Sequence, residues 1–426
     1  MTTAAPARAG LRKNLLWKLG GTVVDKGFRL ALVVFATRTL GEDLWGRYAY
    51  AAAATALFSQ MTDMGTALFL TREVARSGNV EPRLLGGLLQ LRIGLAALYL
   101  VAVGVLAAMH ANEPWLALAL CTTGLGALAQ GSLEACWAVF RGLERLELEA
   151  RSQSLLSALY AAFGGVVVVA MIVGLLPRND IGIVAFAGAQ LLSAAVAFGL
   201  AARAVAGLAR PVRGWDAALR QRFVREVLPL GLAIVASLIY FKIDIPMLRW
   251  MRGDGETGRY AASFRLLEML AVVPAIAMSA TFPALSRDIV GDAPRARRVH
   301  RAALTSLGGL GLGIAVVFGI AAEWIVQLLY GPEFAGSAAV LRVLGVSIAL
   351  MFVNYLETHM LVALGLVRWQ MSVAMALCLV NVGLNLWWIP EFGAVGAAWA
   401  TACTELALLA AVMPAVHRGL AQAGPR

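Results

Sequence analysis

Lys18, Lys26, Arg29, Arg92, Lys242 and Arg265 each interrupt a long apolar stretch of this sequence, and acidic residues accompany them at Asp25, Asp63, Glu134, Asp244, Glu268, Glu357 and Glu405. An ionised side chain removed from water costs several kcal/mol unless it is paired or hydrated, so charges in apolar surroundings mark function by default. The basic set suits an anion, and a guanidinium grips a phosphate through two parallel N–H donors. The carboxylates at Asp25, Asp63, Glu134, Asp244, Glu268 and Glu357 suit the uptake and release of a coupling cation. The bland alternative is that these groups lock helices together. Asp25–Arg29 and Arg265–Glu268 have helical pairing distances, whereas Lys242 and Asp244, two residues apart, would not face each other on a regular helix. Lys18, Asp25 and Arg29 fall on one helical face.

Other reactive residue types lack a useful pattern. His110, His300, His359 and His417 are scattered, and Cys121, Cys136, Cys378 and Cys403 show no metal-ligand spacing. The expectation is no catalytic residue, no metal and no cofactor. Asn381 and Asn385, one helical turn apart, are expected to bond between helices.

The elements that must carry these groups follow from composition. Apolar residues make up 60% of the 426, charged residues only 14%, and mean hydropathy is +0.76. Uncharged runs separate Arg151 from Arg178, Asp180 from Arg203, Arg301 from Glu323, and Arg368 from Glu391, each long enough to cross a bilayer as a helix of roughly 20 residues. The runs do not alternate, which excludes a β-barrel. The expected fold is an all-α integral membrane protein of about twelve transmembrane helices in two pseudo-symmetric six-helix lobes, residues 1–212 and 213–426. The spans are expected near 14–37, 46–71, 84–109, 114–140, 152–176, 181–203, 224–249, 257–286, 302–328, 338–364, 369–389 and 393–416. The first is weak, because only Leu30 to Thr37 is cleanly apolar.

The formal charge of +11 sits largely in short loops, so it reads as membrane topology rather than nucleic-acid binding. The basic clusters Arg8 to Lys13, Arg210 to Arg225 and Arg295 to Arg301 place both termini in the cytoplasm. Ala217 to Val227 is basic and partly amphipathic, as expected of a helix lying on the membrane surface. No uninterrupted apolar signal segment follows Arg12 and Lys13.

The two lobes repeat. Gly41-x4-Gly46-Arg47-Tyr48-Ala49 recurs as Gly253-x4-Gly258-Arg259-Tyr260-Ala261, and Leu133-Glu134-x7-Gly142-Leu143-x-Arg145 as Leu356-Glu357-x7-Gly365-Leu366-x-Arg368. An even number of spans per half gives both the same orientation.

Thr37-Arg38-Thr39-Leu40-Gly41, Gly46-Arg47-Tyr48, Asp63-x-Gly65 and Arg72-Glu73-Val74-Ala75-Arg76 follow in order after Asn14. Pro229-Leu230-Gly231, Ile243-Asp244, Gly258-Arg259-Tyr260, Phe282-Pro283-Ala284-Leu285-Ser286 and Leu329-Tyr330-Gly331-x-Glu333-Phe334 continue the series. Together they resemble the polysaccharide-biosynthesis flippases (Wzx type) of the multidrug/oligosaccharidyl-lipid/polysaccharide exporter superfamily, which serve O-antigen and exopolysaccharide synthesis. The resemblance implies a non-enzymatic, alternating-access exporter of undecaprenyl-pyrophosphate-linked oligosaccharide in the bacterial inner membrane. Its implied partners are that lipid-linked oligosaccharide, membrane lipid, and a polysaccharide polymerase or other assembly proteins. The cationic lumen that the resemblance implies matches Arg29 and Arg265 most directly. A cation-coupled drug or small-molecule antiporter on the same fold is the rival reading.

Overall fold

The computed structural model describes the backbone of residues 5–422 apart from 213, 215 and 216. Side chains are described from residue 27 onward, apart from 217–219, 226, 229, 230, 232–234 and 280. The described chain is helical throughout: α1 (Ala5–Ser59), α2 (Thr66–Ser77), α3 (Pro82–Met109), α4 (Pro114–Gly142), α5 (Leu146–Ile172), α6 (Asp180–Leu208), α7 (Ala217–Arg222), α8 (Leu228–Lys242), α9 (Asp244–Arg252), α10 (Asp254–Leu270), α11 (Val272–Gly291), α12 (Ala293–Tyr330), α13 (Ser337–Ala363) and α14 (Val367–Gln422). Eight stretches are long and apolar enough on their own to cross a membrane. The protein is a multi-pass membrane protein.

Several expected boundaries are replaced by breaks inside longer helices. The anticipated loop after residue 37 is reduced to Gly41, whose φ of 75° interrupts α1, and α14 is interrupted in the same way at Gly393. The anticipated second span is itself divided. Its helix ends at Ser59, a 3-10 turn covers Gln60–Thr62, and Met64 and Gly65 adopt positive φ before α2 begins. Ile243 separates α8 from α9, and Ala271 separates α10 from α11. The amphipathic link forms as α7 followed by a π-helical turn over Phe223–Val227.

The chain divides into two compact units, residues 1–40 with 50–235, and residues 41–49 with 236–426. In the first, α4 lies against α6 and α2, and α5 against α6. Its core includes Leu88, Leu133, Phe140, Leu156 and Ala197. In the second, α13 is the central helix, flanked by α12, α14, α10 and α11, and buries Leu344, Ile348, Phe352 and Leu356.

The repeated sequence motif meets itself inside the second unit. Gly41 and Gly253 take nearly the same left-handed break, with φ of 75° and 85° and ψ of 177° and −169°, a conformation glycine adopts without steric cost. Five residues on, Gly46 and Gly258 let the two helices touch backbone to backbone. A Cβ on Gly46 would lie 1.9 Å from the Asp254 carbonyl oxygen, and one on Gly258 would lie 1.9 Å from that of Glu42. The ion pairs are equally reciprocal. The Arg259 guanidinium donates to both carboxylate oxygens of Glu42, at 2.7 and 2.8 Å, and Arg47 Nε donates to Asp254 Oδ2 at 2.9 Å.

Candidate functional site

In the first unit the break in the second span organises the charge. Asp63 accepts hydrogen bonds from the amides of Gly65 and Ala67, at 3.2 and 3.0 Å, and from the Thr66 hydroxyl at 3.0 Å. Arg92, from α3, closes on it. Its Nη1 donates to Asp63 Oδ1 at 2.6 Å and to Thr66 Oγ1 at 2.7 Å, while Nη2 donates to the Gly131 carbonyl at 2.6 Å. Two sequence-predicted residues of opposite role therefore neutralise each other here. Glu134 receives a hydrogen bond from Arg141 on its own helix, and Arg141 also lies 3.5 Å from Glu149. Arg29 is half-buried on α1. The side chains of Lys18, Asp25 and Lys26 lie outside the described residues.

In the second unit the interruption at Ile243 sends adjacent charges in different directions. Lys242 closes α8 and donates to Glu268 Oε1 at 2.6 Å, while Arg265 Nη1 donates to Glu268 Oε2 at 2.8 Å. One carboxylate thus holds two cations. The Lys242 and Arg265 side chains remain 25% and 29% exposed, which keeps both within reach of an anion. The i, i+3 pairing of Arg265 with Glu268 matches its helical spacing.

Asp244 opens α9 on the opposite side and is 1% exposed. It accepts hydrogen bonds from the Tyr260 hydroxyl, from Thr401 Oγ1 at 2.9 Å and from Asn385 Nδ2 at 2.8 Å. Asn385 also donates to Asn381 Oδ1 at 3.0 Å, and Asn381 to Thr404 at 3.3 Å. Asn385 Oδ1 is buried without a hydrogen-bond partner among the described residues. The two asparagines bond to other helical segments as their spacing suggests, and one of their partners is a carboxylate. Nearby, Glu405 accepts from the Tyr240 hydroxyl and from Asn354 Nδ2, the latter at 2.6 Å.

The repeat-related acids Glu134 and Glu357 have different surroundings. Glu357 is fully buried and lies 2.9 Å from His300 Nε2. Sequence reasoning missed His300 in this role, along with Tyr240, Tyr260, Thr401 and Asn354. Tyr260 alone carried a signal, as the tyrosine of the repeated Gly-Arg-Tyr motif. Among the described residues no group of three or more His, Cys, Asp or Glu could hold a metal ion.

Broken helices with polar groups at the breaks recur in transporter folds. Over 96% of this chain and 100% of the other, the fold is similar to the inward-facing conformation of a multidrug resistance MATE family transporter of the MOP superfamily, with a TM-score of 0.68 at 15% identity. An outward-facing conformation of such a transporter matches with a TM-score of 0.59 at 14% identity, covering 97% of this chain and 95% of that one. The lipid II flippase MurJ in an inward closed conformation matches with a TM-score of 0.61 at 12% identity, covering 97% and 86%. No curated protein matches the sequence. The family model described as "Polysaccharide biosynthesis protein" matches residues 11–288, and the chain belongs to that family. Its fold is that of these MATE and MurJ structures.

Proposed function

We propose that the protein exports a polyprenyl-pyrophosphate-linked oligosaccharide from the cytoplasmic to the opposite leaflet of a bacterial inner membrane, with both termini cytoplasmic. The observation that carries this reading is the Lys242–Glu268–Arg265 cluster, where two cations share one carboxylate within the span region. A pyrophosphate cannot enter hydrocarbon unaided, because desolvating its charge costs far more than desolvating a neutral polar group. Two partly exposed bases offset that cost, and the Arg265 fork matches phosphate oxygens. Arg29, Lys18 and Lys26, carried by α1, are proposed separately as headgroup contacts. Membership of a polysaccharide-biosynthesis family supports this substrate class.

Asp244 is the coupling residue of this proposal. A buried carboxylate held by hydroxyl and amide donors, with no cationic partner among the described residues, offers a place where a proton or a small hard cation can bind and be released. Release of that cation then drives the alternating-access cycle.

Proteoliposomes containing the purified protein should move a fluorescent polyprenyl-pyrophosphate oligosaccharide between leaflets, and Arg265→Ala should reduce the rate at least tenfold while Arg265→Lys recovers part of it. Failure of the wild type to flip this lipid, together with export of an organic cation against a proton gradient, would replace this reading with the antiporter.

A further inference from the structure

The first unit contains a crevice whose chemistry the headgroup reading leaves unused. It encloses 470 Å³, with α3 and α6 as walls and α4 as floor. Leu88, Leu89, Val139, Phe198 and Val205 give it an almost wholly apolar lining. Along α6 it runs from Ala209 to Phe198, about 16 Å at the helical rise. Its base is closed by the segment after α6, where the Val212 amide donates to the Pro82 carbonyl at 2.9 Å. Its far end meets Arg92, the one charged group in the lining. That charge is matched by Asp63, and its N–H groups are engaged by Asp63, Thr66 and the Gly131 carbonyl. The side is open, since Ile93 and Ala206 line the crevice and are themselves exposed.

An apolar, electroneutral slot along membrane-spanning helices favours a hydrocarbon chain over a headgroup, because any charged occupant would arrive without a countercharge. In a protein surrounded by lipid, the chain must come from a lipid. The slot is elongated, closed at its base and capped by a neutralised ion pair, so it holds the end of a chain and not a whole lipid. We propose that this α3–α4–α6 crevice is the binding site for the polyisoprenyl chain of the transported lipid, separate from the Lys242–Glu268–Arg265 cluster that takes the phosphates. This rests on the transport reading above for the identity of the chain. In this arrangement the tail stays in an apolar groove of the first unit while the headgroup is handled in polar surroundings, so neither part meets the wrong solvent.

A polyisoprenyl monophosphate carrying a diazirine near its chain terminus, and no sugar, tests the site on the full-length protein in nanodiscs. Photolabel should map to peptides within Pro82–Met109, Pro114–Gly142 and Asp180–Leu208. Excess undecaprenyl phosphate should displace it at least tenfold better than excess phosphatidylglycerol. Ala202→Trp and Leu89→Trp, which fill the slot from opposite walls, should each reduce labelling at least fivefold while a sugar pyrophosphate lacking the chain still binds. Label mapping elsewhere would overturn the proposal, as would equal displacement by phosphatidylglycerol, which makes the slot a general lipid crevice. Since the wild-type label needs no variant to fold, misfolding of either tryptophan variant cannot rescue the idea. Labelling of the crevice in a protein that flips no oligosaccharide would sink the transport reading and leave the chain site standing. Normal flipping by a wild type that takes no label in the crevice would do the opposite.

Discussion

The reciprocal pairing of the repeated motifs can be measured as a coupling energy. Arg259 grips Glu42 through both carboxylate oxygens at 2.7 and 2.8 Å, with Arg259 35% and Glu42 23% exposed. A fully exposed pair contributes under about 1 kcal/mol, and a hydrogen bond to a charged group about 1.5–3 kcal/mol. Partial exposure and fork geometry place this pair between them, at about 1–2 kcal/mol. Its counterpart has one ion-pair contact among the described residues, Arg47 Nε to Asp254 Oδ2 at 2.9 Å. Asp254 is also shared with Arg249, so the Arg47–Asp254 coupling should be about half as large. The experiment is a pair of double-mutant cycles, Glu42→Ala with Arg259→Ala and Arg47→Ala with Asp254→Ala. Unfolding free energies would come from denaturant titration of the detergent-solubilised protein. The expected order is Glu42–Arg259 above Arg47–Asp254. A Glu42–Arg259 coupling below about 0.3 kcal/mol, the usual error of additivity, would mean that solvent screens the pair and that the motifs are held by backbone contact alone.

Three further outcomes follow from the same geometry. Gly46→Ala should be among the most destabilising single substitutions, at about 4 kcal/mol or more, because its Cβ would overlap the Asp254 carbonyl and only backbone movement relieves that; near-wild-type expression and unfolding would contradict the close crossing. Asp244→Asn keeps the shape and removes the charge, so proteoliposome transport should lose its dependence on the imposed cation gradient while the protein still folds, and unaltered gradient dependence would move coupling elsewhere. Glu73 lies beyond the second span, where the hydrogen bond from Arg222 holds its carboxyl below the ordinary value of 4.5. A depressed acid stabilises the fold above its unfolded value and loses that contribution as pH falls through the folded one. Wild type should therefore be more stable than Glu73→Gln at neutral pH, with the difference shrinking only below about pH 4.5 and by under about 1 kcal/mol in all; a difference that is unchanged at pH 3 would exclude the ion pair as its source.

What was legible in the sequence is what a bilayer imposes on every residue of a span. Uncharged runs such as Ser152 to Pro177 must be helices, because nothing else satisfies their backbone in hydrocarbon, and α5 forms there. The Gly-x4-Gly-Arg-Tyr duplication was legible as a repeat, and its glycines serve the matching break and the close crossing. The breaks at Asp63 to Gly65 and at Ile243 were not legible. Hydropathy averages over a window, whereas a break turns on one or two residues, such as Met64 in an uncommon positive-φ conformation. The same limit hid the partners. Lys242 and Asp244 are two residues apart, and only the interruption between them decides that Lys242 joins Glu268 while Asp244 joins Asn385, over a hundred residues away. His300, Tyr240 and Asn354 were invisible for the same reason, since their carboxylate partners lie on different helices.

The duplicated halves have diverged in how they settle buried charge, and that divergence bears on which half does the chemistry. In the first unit, Asp63 is matched by Arg92 and Glu134 by Arg141, each acid with a base. An arginine cannot release its proton in a protein, so these pairs are fixed, and breaking the more buried Asp63–Arg92 pair would strand a charge at a cost of several kcal/mol. In the second unit several buried acids are held differently. Glu268 carries two bases, Asp244 and Glu405 are held by hydroxyls and amides, and Glu357, the repeat partner of Glu134, faces an imidazole. Hydroxyls and amides support a carboxylate in either protonation state, and an imidazole nitrogen can either donate or accept. A cycle that binds and releases an anion and a cation needs groups whose charge state or partner can change. The first unit has exchanged that freedom for rigidity and retains an apolar crevice. The second keeps a carboxylate shared by two bases and acids held by groups other than arginine, which is why the coupling step is proposed at Asp244.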